Sequence, residues 1–222
     1  MRLPALLLSG CMGALVGGCD REGAPLARTT ADSARADSSE RARQDSVNRT
    51  LPGYIVDSIF PVQEELRRFR QAIGGTSVAA FSGGSSSREA LVRRFVTAVT
   101  ARDTADLRAM VVRVREFADL YYMDSPSSRP PYKQSPGLAW SMIQNPSLEG
   151  LTKLLRHLGG RPLTYVGHSC DQEVVREGRT TRHVGCVVTT SERAGALLKS
   201  RLFGSIVERD GQFKFLSYTN EF

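Results

Sequence analysis

The most restrictive feature of this chain is the polar stretch of residues 19–52, which confines any hydrophobic core to the remainder. Acidic and basic residues alternate there with Ser, Ala and Thr, and Leu26 and Val47 are the only large apolar side chains before Leu51. Such a composition cannot bury enough apolar surface to offset the entropy lost on ordering. We therefore predict a flexible linker, with helical content around Ser33–Asn48 because Ala and Arg favour helices.

The residues before this linker have the three-part layout of a secretory signal. Arg2 precedes an apolar stretch that ends in Val16-Gly17-Gly18-Cys19, directly before the charged Asp20. Small residues before a Cys resemble the lipobox of bacterial lipoproteins, in which the thiol receives a diacylglycerol. The resemblance implies a signal peptide over residues 1–18, lipidation at Cys19, and a protein anchored in the bacterial cell envelope on the extracytoplasmic side.

Two alternatives to this interpretation stay open. Leu8-Ser9-Gly10-Cys11 also resembles a lipobox, but the apolar region before it is shorter than the usual 7–15 residues or so. The same N-terminal stretch could instead remain uncleaved as a membrane span, although it is marginal for the ~20 residues required and contains Pro4 and several glycines. A cleaved signal with lipidation at Cys19 is the favoured interpretation.

The net charge of +7 comes almost entirely from Arg rather than Lys. A solvated basic surface is its simplest explanation, and binding to an anionic lipid or polymer is the alternative. No dense run of Lys and Arg interleaved with aromatic residues occurs, so we expect no nucleic-acid partner.

Residues 53–222 have the composition of a single folded domain that begins with helices. After Pro61, the residues Val62, Leu66, Phe69 and Ile73 form one apolar stripe, which Gly74 ends. A second helix opens at Ser85–Ser87, and Asp103 is a plausible N-cap for a third. The third is predicted over Thr104–Met110, and further helices over Arg115–Tyr122, Gly137–Gln144 and Ser147–Leu158.

The last third of the chain predicts strands rather than helices. Two hairpins are expected to turn at Glu177-Gly178 and at Asp210-Gly211. Their strands are predicted over Leu163–Arg176, Arg179–Thr190, Leu197–Arg209 and Gln212–Tyr218. The predicted fold class is therefore α+β, with N-terminal helices packed on a C-terminal four-stranded antiparallel meander.

Two segments resemble the nuclear transport factor 2-like (SnoaL-like) superfamily. They are SREALVRRFVTAVTARDTADLRAMV and FGSIVERDGQFKFLSYTNEF, and the similarity extends over residues 85–112 and 160–222. The intervening residues 113–159 are more helical than is usual for that family. The resemblance implies a cone-like curved sheet that helices close on one side, with a pocket between helices and sheet.

Cys170 and Cys186 are predicted to form a disulfide. In a hairpin that turns near residue 178 they face each other, and an exported protein meets oxidising conditions. Val166, Val174, Val184 and Val188 share their face, which indicates the buried side. Two buried free thiols are the alternative.

A zinc site is a further alternative, because His168 and His183 lie near the two cysteines in sequence. In the predicted register His168 shares the face of Cys170, whereas His183 lies on the opposite face, across from Glu173. Two faces of one sheet cannot supply one tetrahedral site, so we predict no metal.

No nucleophile elbow, phosphate loop, dinucleotide fingerprint or HExxH motif occurs, and no cofactor is predicted. One group of aromatic residues lies close together in the sequence. In one interpretation these residues line a pocket or a partner groove, and in the other they pack in the core. They are Phe117, Tyr121, Tyr122, Tyr132 and Trp140. Asp124 and His168 are the only acid–base candidates.

These observations favour a tethered envelope lipoprotein that is not an enzyme and that binds a small molecule or another envelope protein. The alternative is an enzyme of the nuclear transport factor 2-like fold, in which Asp124 and His168 form an acid–base pair in the pocket.

Overall fold

The computed structural model describes residues 30–48, 60–192 and 195–221. The predicted signal peptide and the predicted lipidation site Cys19 lie outside the described residues. Two compact units are distinguished, Met1–Ser58 and Ile59–Phe222. Among the described residues, no helix combines the length and the apolar character needed to cross a membrane.

Helix α1, Thr30–Asn48, lies within the predicted linker. Its described side chains are exposed, and no apolar face emerges from its sequence. Local contacts accompany the helix, such as an exposed ion pair of 3.5 Å between Glu40 and Arg43. The expected helical content of this segment is confirmed, and the described part of the linker is more regular than a random coil.

The helices of the second unit begin where the sequence predicts. The Ser87 hydroxyl accepts a hydrogen bond of 3.1 Å from the Ala90 amide, and the Asp103 carboxylate accepts one of 2.9 Å from the Asp106 amide. These caps satisfy amides that have no partner within the helix. The helices are α2 Val62–Ile73, α3 Arg88–Ala101, α4 Thr104–Met110, α5 Val114–Glu116 and α6 Pro136–His157.

Two helical predictions need correction. The two short helices predicted over residues 137–158 are one helix, α6, which contains Pro146 in its interior. The helix predicted over Arg115–Tyr122 is α5 followed by a π-helical turn, Phe117–Tyr121. A π turn rotates the following side chains relative to an α-helix, and here it buries Phe117, Leu120 and Tyr121.

The strands of the described residues form two antiparallel sheets. One has the order β1-β4-β5, and the other has the order β2-β3-β6-β7. The strands are β1 Thr164–Ser169, β2 Val174–Glu177, β3 Thr180–His183, β4 Val187–Ser191, β5 Leu197–Ser200, β6 Ile206–Arg209 and β7 Gln212–Phe215. The mixed helix-and-antiparallel-strand class is confirmed, and both predicted turns join paired strands, β2 to β3 and β6 to β7.

Each of the first three predicted long strands is broken into two short ones. Gly185, with φ of +61°, lies between β3 and β4 and interrupts the extended backbone. A bulge between Tyr165 and Gly167 shifts the register of β1. Val166 was predicted to share a buried face, but the bulge leaves it 53% exposed, while Val188 is fully buried.

The sheet β2-β3-β6-β7 has apolar clusters on both faces. Ile206 belongs to a cluster with α3, α4 and α6, and the next residue, Val207, belongs to a cluster with α2 and the π turn. Successive side chains of a strand point to opposite faces. Strand β6 therefore separates the two halves of the core.

The predicted disulfide between Cys170 and Cys186 is present, with the sulfur atoms 2.09 Å apart. Cys170 lies between β1 and β2, and Cys186 lies between β3 and β4. The bond thus joins the two chain segments at the point where they leave one sheet and enter the other.

Candidate functional site

An apolar groove of about 590 Å³ is lined by helix α6 on one side. This volume is within the range of roughly 300–1,000 Å³ that small-molecule sites occupy. The lining positions of α6 follow the i, i+3, i+4, i+7, i+8 spacing of one helical face. They are Trp140, Ile143, Gln144, Ser147 and Leu148.

The facing side of the groove is the short segment that joins α4 to α5. Val111 has an extended backbone, and the Val112 amide donates a hydrogen bond of 2.9 Å to the Phe215 carbonyl. This contact holds the segment against strand β7, which also brings Leu216 to the groove. Ile73, at the end of α2, completes the apolar lining.

Two arginines also line the groove, and none of the described lining residues is acidic. Arg113 contacts the Ser82 hydroxyl and lies 3.2 Å from a carboxylate oxygen of Glu116. Arg108 is exposed in the last turn of α4. The groove therefore combines an apolar interior with positive charge.

The five aromatic residues singled out from the sequence do not form one surface. Phe117, Tyr121 and Tyr122 are buried in the core, because the π turn directs them towards α2 and α6. Tyr132 is 65% exposed. Trp140 alone of the five lines the groove, and its ring centre lies 5.2 Å from that of Phe117.

A buried ion pair lies next to the segment that lines the groove. Lys214 Nζ donates to Glu116 Oε2 at 2.7 Å, and both side chains are almost completely buried. Burial opposes ionisation of Glu116, but hydrogen bonds from Lys214 and from the amides of Arg113 and Ser82 outweigh it and lower the pKa of the carboxyl. Burial also lowers the pKa of Lys214. The pair fixes the last residue of α5 to strand β7.

A second, polar pocket of about 350 Å³ contains His168. The His168 Nδ1 lies 2.8 Å from the Tyr165 hydroxyl, and that hydroxyl donates to Glu89 at 2.5 Å. Burial, followed by the positive charge of Arg88, lowers the pKa of His168. A hydrogen-bonded, largely neutral imidazole is typical of a structural histidine.

The predicted position of His183 was wrong. It pairs with Val174 rather than facing Glu173, and it lines the same pocket as His168 and Cys170. The turn is the reason: Glu177 pairs with Thr180, so the loop is the two residues Gly178-Arg179, and each pair of the hairpin is shifted by one residue from the predicted register. His183 Nε2 lies 3.2 Å from Glu208.

The structure does not bring Asp124 and His168 together in a contact. Asp124 accepts hydrogen bonds from Arg209 at 2.8 Å and from the Arg179 amide at 3.1 Å, beside the turn at Gly178. His168 belongs to the pocket at the other end of the β2–β3 hairpin. These hydrogen bonds give Asp124 a structural role in holding the turn.

Within the described ranges, no group of three or more His, Cys, Asp or Glu side chains is arranged to hold a metal ion. Cys170 and Cys186, the cysteines beside the histidines, are bonded to each other in the disulfide.

Comparison of the chain with protein-family models, with curated proteins and with solved structures finds no match. The groove itself was not found from the sequence, because its residues come from four separate stretches of the chain.

Proposed function

We propose that this protein is an exported lipoprotein whose folded domain binds a small apolar molecule in the groove between α6 and the α4–α5 segment, without catalysing a reaction. The observation that supports binding is the groove itself, which is apolar inside and accessible beside Trp140. Burying apolar ligand surface there is favourable by about 25 cal/mol per Å². The residues that the structure describes on the lining include no carboxylate and no histidine.

The anchor in this proposal is a diacylglycerol on Cys19, followed by the linker that contains α1. The proposal retains the resemblance to the nuclear transport factor 2-like superfamily, with a cone-like sheet covered by helices. In its support, helices precede antiparallel strands and pack on them. A tether would keep such a domain near the membrane without fixing its orientation.

Ligand binding is tested by tryptophan fluorescence, since the chain has a single Trp, Trp140, and it lines the groove. The mature chain from Asp20 to Phe222 is exported with a cleavable signal, so that no lipid is attached. Titration with dodecan-1-ol should give a saturable change in Trp140 emission at one ligand per chain.

Two matched variants test whether the change in Trp140 emission comes from binding in the groove. Leu148 is 55% exposed in the groove and Leu197 is 62% exposed on β5, outside it. Leu148→Glu should weaken binding at least about tenfold, because a charge in an apolar site is costly, while Leu197→Glu should bind normally. Absence of a saturable change, or equal effects of the two variants, would refute binding in the groove.

Anchoring is tested by growing a bacterial host on an alkyne-tagged fatty acid and detecting the label on the protein. Cys19→Ala should abolish labelling and Cys11→Ala should preserve it. The reverse pattern would place the lipid at Cys11, and labelling of neither form would refute the lipoprotein proposal.

A further inference from the structure

We infer that the groove selects single-chain amphiphiles with an anionic head, of the fatty-acid carboxylate class, and that Arg108 holds the head. This inference rests on the proposed function, since it names the class of ligand for the same groove. It is carried by the charge of the lining residues, by the apolar interior and by the environment of Arg108.

The charged side chains described on the lining are all positive. Among the described residues that line the groove, only Arg108 and Arg113 are ionisable, so a ligand there meets two guanidinium groups and no carboxylate from this part of the chain. Arg113 is engaged with Glu116 and Ser82, which compensates part of its charge. A cationic head would therefore be repelled, and an anionic head would be attracted.

Arg108 is the arginine available to a ligand. Within the part of the chain that the structure describes, no acidic side chain pairs with it; the nearby Asp106 is held by Arg94 instead. Arg108 is exposed, so its guanidinium can move to meet a carboxylate. Guanidinium and carboxylate groups form two parallel hydrogen bonds, which gives geometric selectivity as well as attraction.

The remaining lining fits the hydrocarbon chain of such a ligand. Val111, Val114, Ile143 and Leu148 present aliphatic side chains, and Trp140 presents an aromatic ring. These groups can bury methylenes, at about 0.8 kcal/mol for each one transferred from water. A free inorganic anion would leave this surface unused, so the geometry favours an amphiphile over a small ion.

The test compares three ligands with the same twelve-carbon chain and different heads: laurate, dodecan-1-ol and dodecyltrimethylammonium. Each is titrated below its micellar concentration into the mature chain, with Trp140 emission as the readout. Laurate should bind about fivefold more tightly than the alcohol, the gain typical of an accessible ion pair, and the cation should bind most weakly. Raising the salt concentration should reduce the advantage of laurate.

Arg108→Gln should bring the affinity for laurate down to that for the alcohol and leave the alcohol unaffected. Arg156→Gln is the matched control, because Arg156 is exposed on α6 and does not line the groove. Arg108→Lys keeps the charge and should retain part of the preference. Circular dichroism checks that each variant is folded, and the salt dependence of the unaltered protein tests the inference without any variant.

The outcomes separate the inference from the proposed function. Equal affinity for laurate and alcohol, or a laurate preference that survives Arg108→Gln in a folded variant, overturns the inference while binding in the groove stands. No saturable response to any of the three ligands overturns both. A response that Leu148→Glu leaves unchanged places the ligand elsewhere and also overturns both.

Discussion

Lys214 shows what a single buried residue contributes to this molecule. Its ammonium is completely buried on the face of β7 that meets α5, where it donates to Glu116 at 2.7 Å and to the Ser82 carbonyl at 2.8 Å. Charges are costly to remove from water, and the cost is recovered only while both partners are present. Alternation along β7 places Lys214 on the face opposite Phe213 and Phe215, and its partner Glu116, 98 residues away, has no signal in the sequence.

Replacing Lys214 with Met should lower the free energy of unfolding by about 3–5 kcal/mol, because Glu116 would keep its charge without its closest cation. Urea denaturation measures the change. Lys199→Met is the control, since Lys199 is exposed on β5, and it should change stability by no more than about 0.5 kcal/mol. Equal effects of the two substitutions would contradict the role of the buried pair.

The lowered pKa of Glu116 predicts a dependence of stability on pH. A carboxyl whose pKa is lower in the folded than in the unfolded chain stabilises the fold above its usual value of 4.5, and this stabilisation is lost as the pH falls through the folded pKa. The difference in stability between the unaltered protein and Glu116→Gln should therefore shrink below about pH 4.5. A difference that is constant from pH 7 to pH 3 would contradict this assignment.

Helix α6 shows that packing can override the structure that the local sequence favours. Pro146 lacks an amide hydrogen and normally ends or bends a helix, yet α6 continues through it. Contacts hold the second half in place: the Ser147 hydroxyl accepts from the Tyr218 amide at 3.0 Å, and Asn220 donates to the Gly150 carbonyl at 2.7 Å. The groove depends on this continuity, because its α6 residues lie on both sides of Pro146.

Gly150→Ala should destabilise the protein by about 3 kcal/mol, because an added methyl group would lie 1.9 Å from the Tyr218 carbonyl oxygen. Gly137→Ala in the same helix is the control. Its nearest neighbour would be the Phe69 ring at 4.0 Å, so it should be neutral or stabilising by up to about 1 kcal/mol. Thermal unfolding of both variants decides the matter, and a stable Gly150→Ala protein would contradict the close contact.

Elements set by local chemistry could be predicted from the sequence, and elements set by distant contacts could not. Ser87 and Asp103 act as caps as expected, and the turns at Gly178 and Gly211 join the predicted strands. The continuity of α6 and the π turn were missed because each depends on what it packs against. The aromatic set yielded one groove residue, Trp140, since spacing along the chain does not show which rings face the core.

At the scale of the whole molecule, the Cys170–Cys186 bond joins the segments that pass between the two sheets. Replacing both residues with Ser should lower the free energy of unfolding by about 3 kcal/mol, the value expected for closing a loop of about 15 residues. Treating the unaltered protein with a reductant should give the same loss and leave the double variant unchanged. If reductant has no effect on the oxidised protein, the bond does not stabilise the fold.

The groove is also a property of the whole molecule. Its lining residues are brought together from α2, the α4–α5 segment, α6 and the residue after β7, and they meet only once the helices are packed on the sheet. Ligand binding should therefore be lost together with the tertiary structure, in one transition.

Native mass spectrometry of the mature chain, Asp20 to Phe222, purified from an oxidising compartment without detergent, tests the central claim most directly. The account predicts a protein two hydrogens lighter than the reduced sequence, with one retained small amphiphile per chain that Leu148→Glu removes and Leu197→Glu retains. A bare chain in every preparation, or a retained molecule that is indifferent to Leu148→Glu, would contradict the claim that the groove is the binding site.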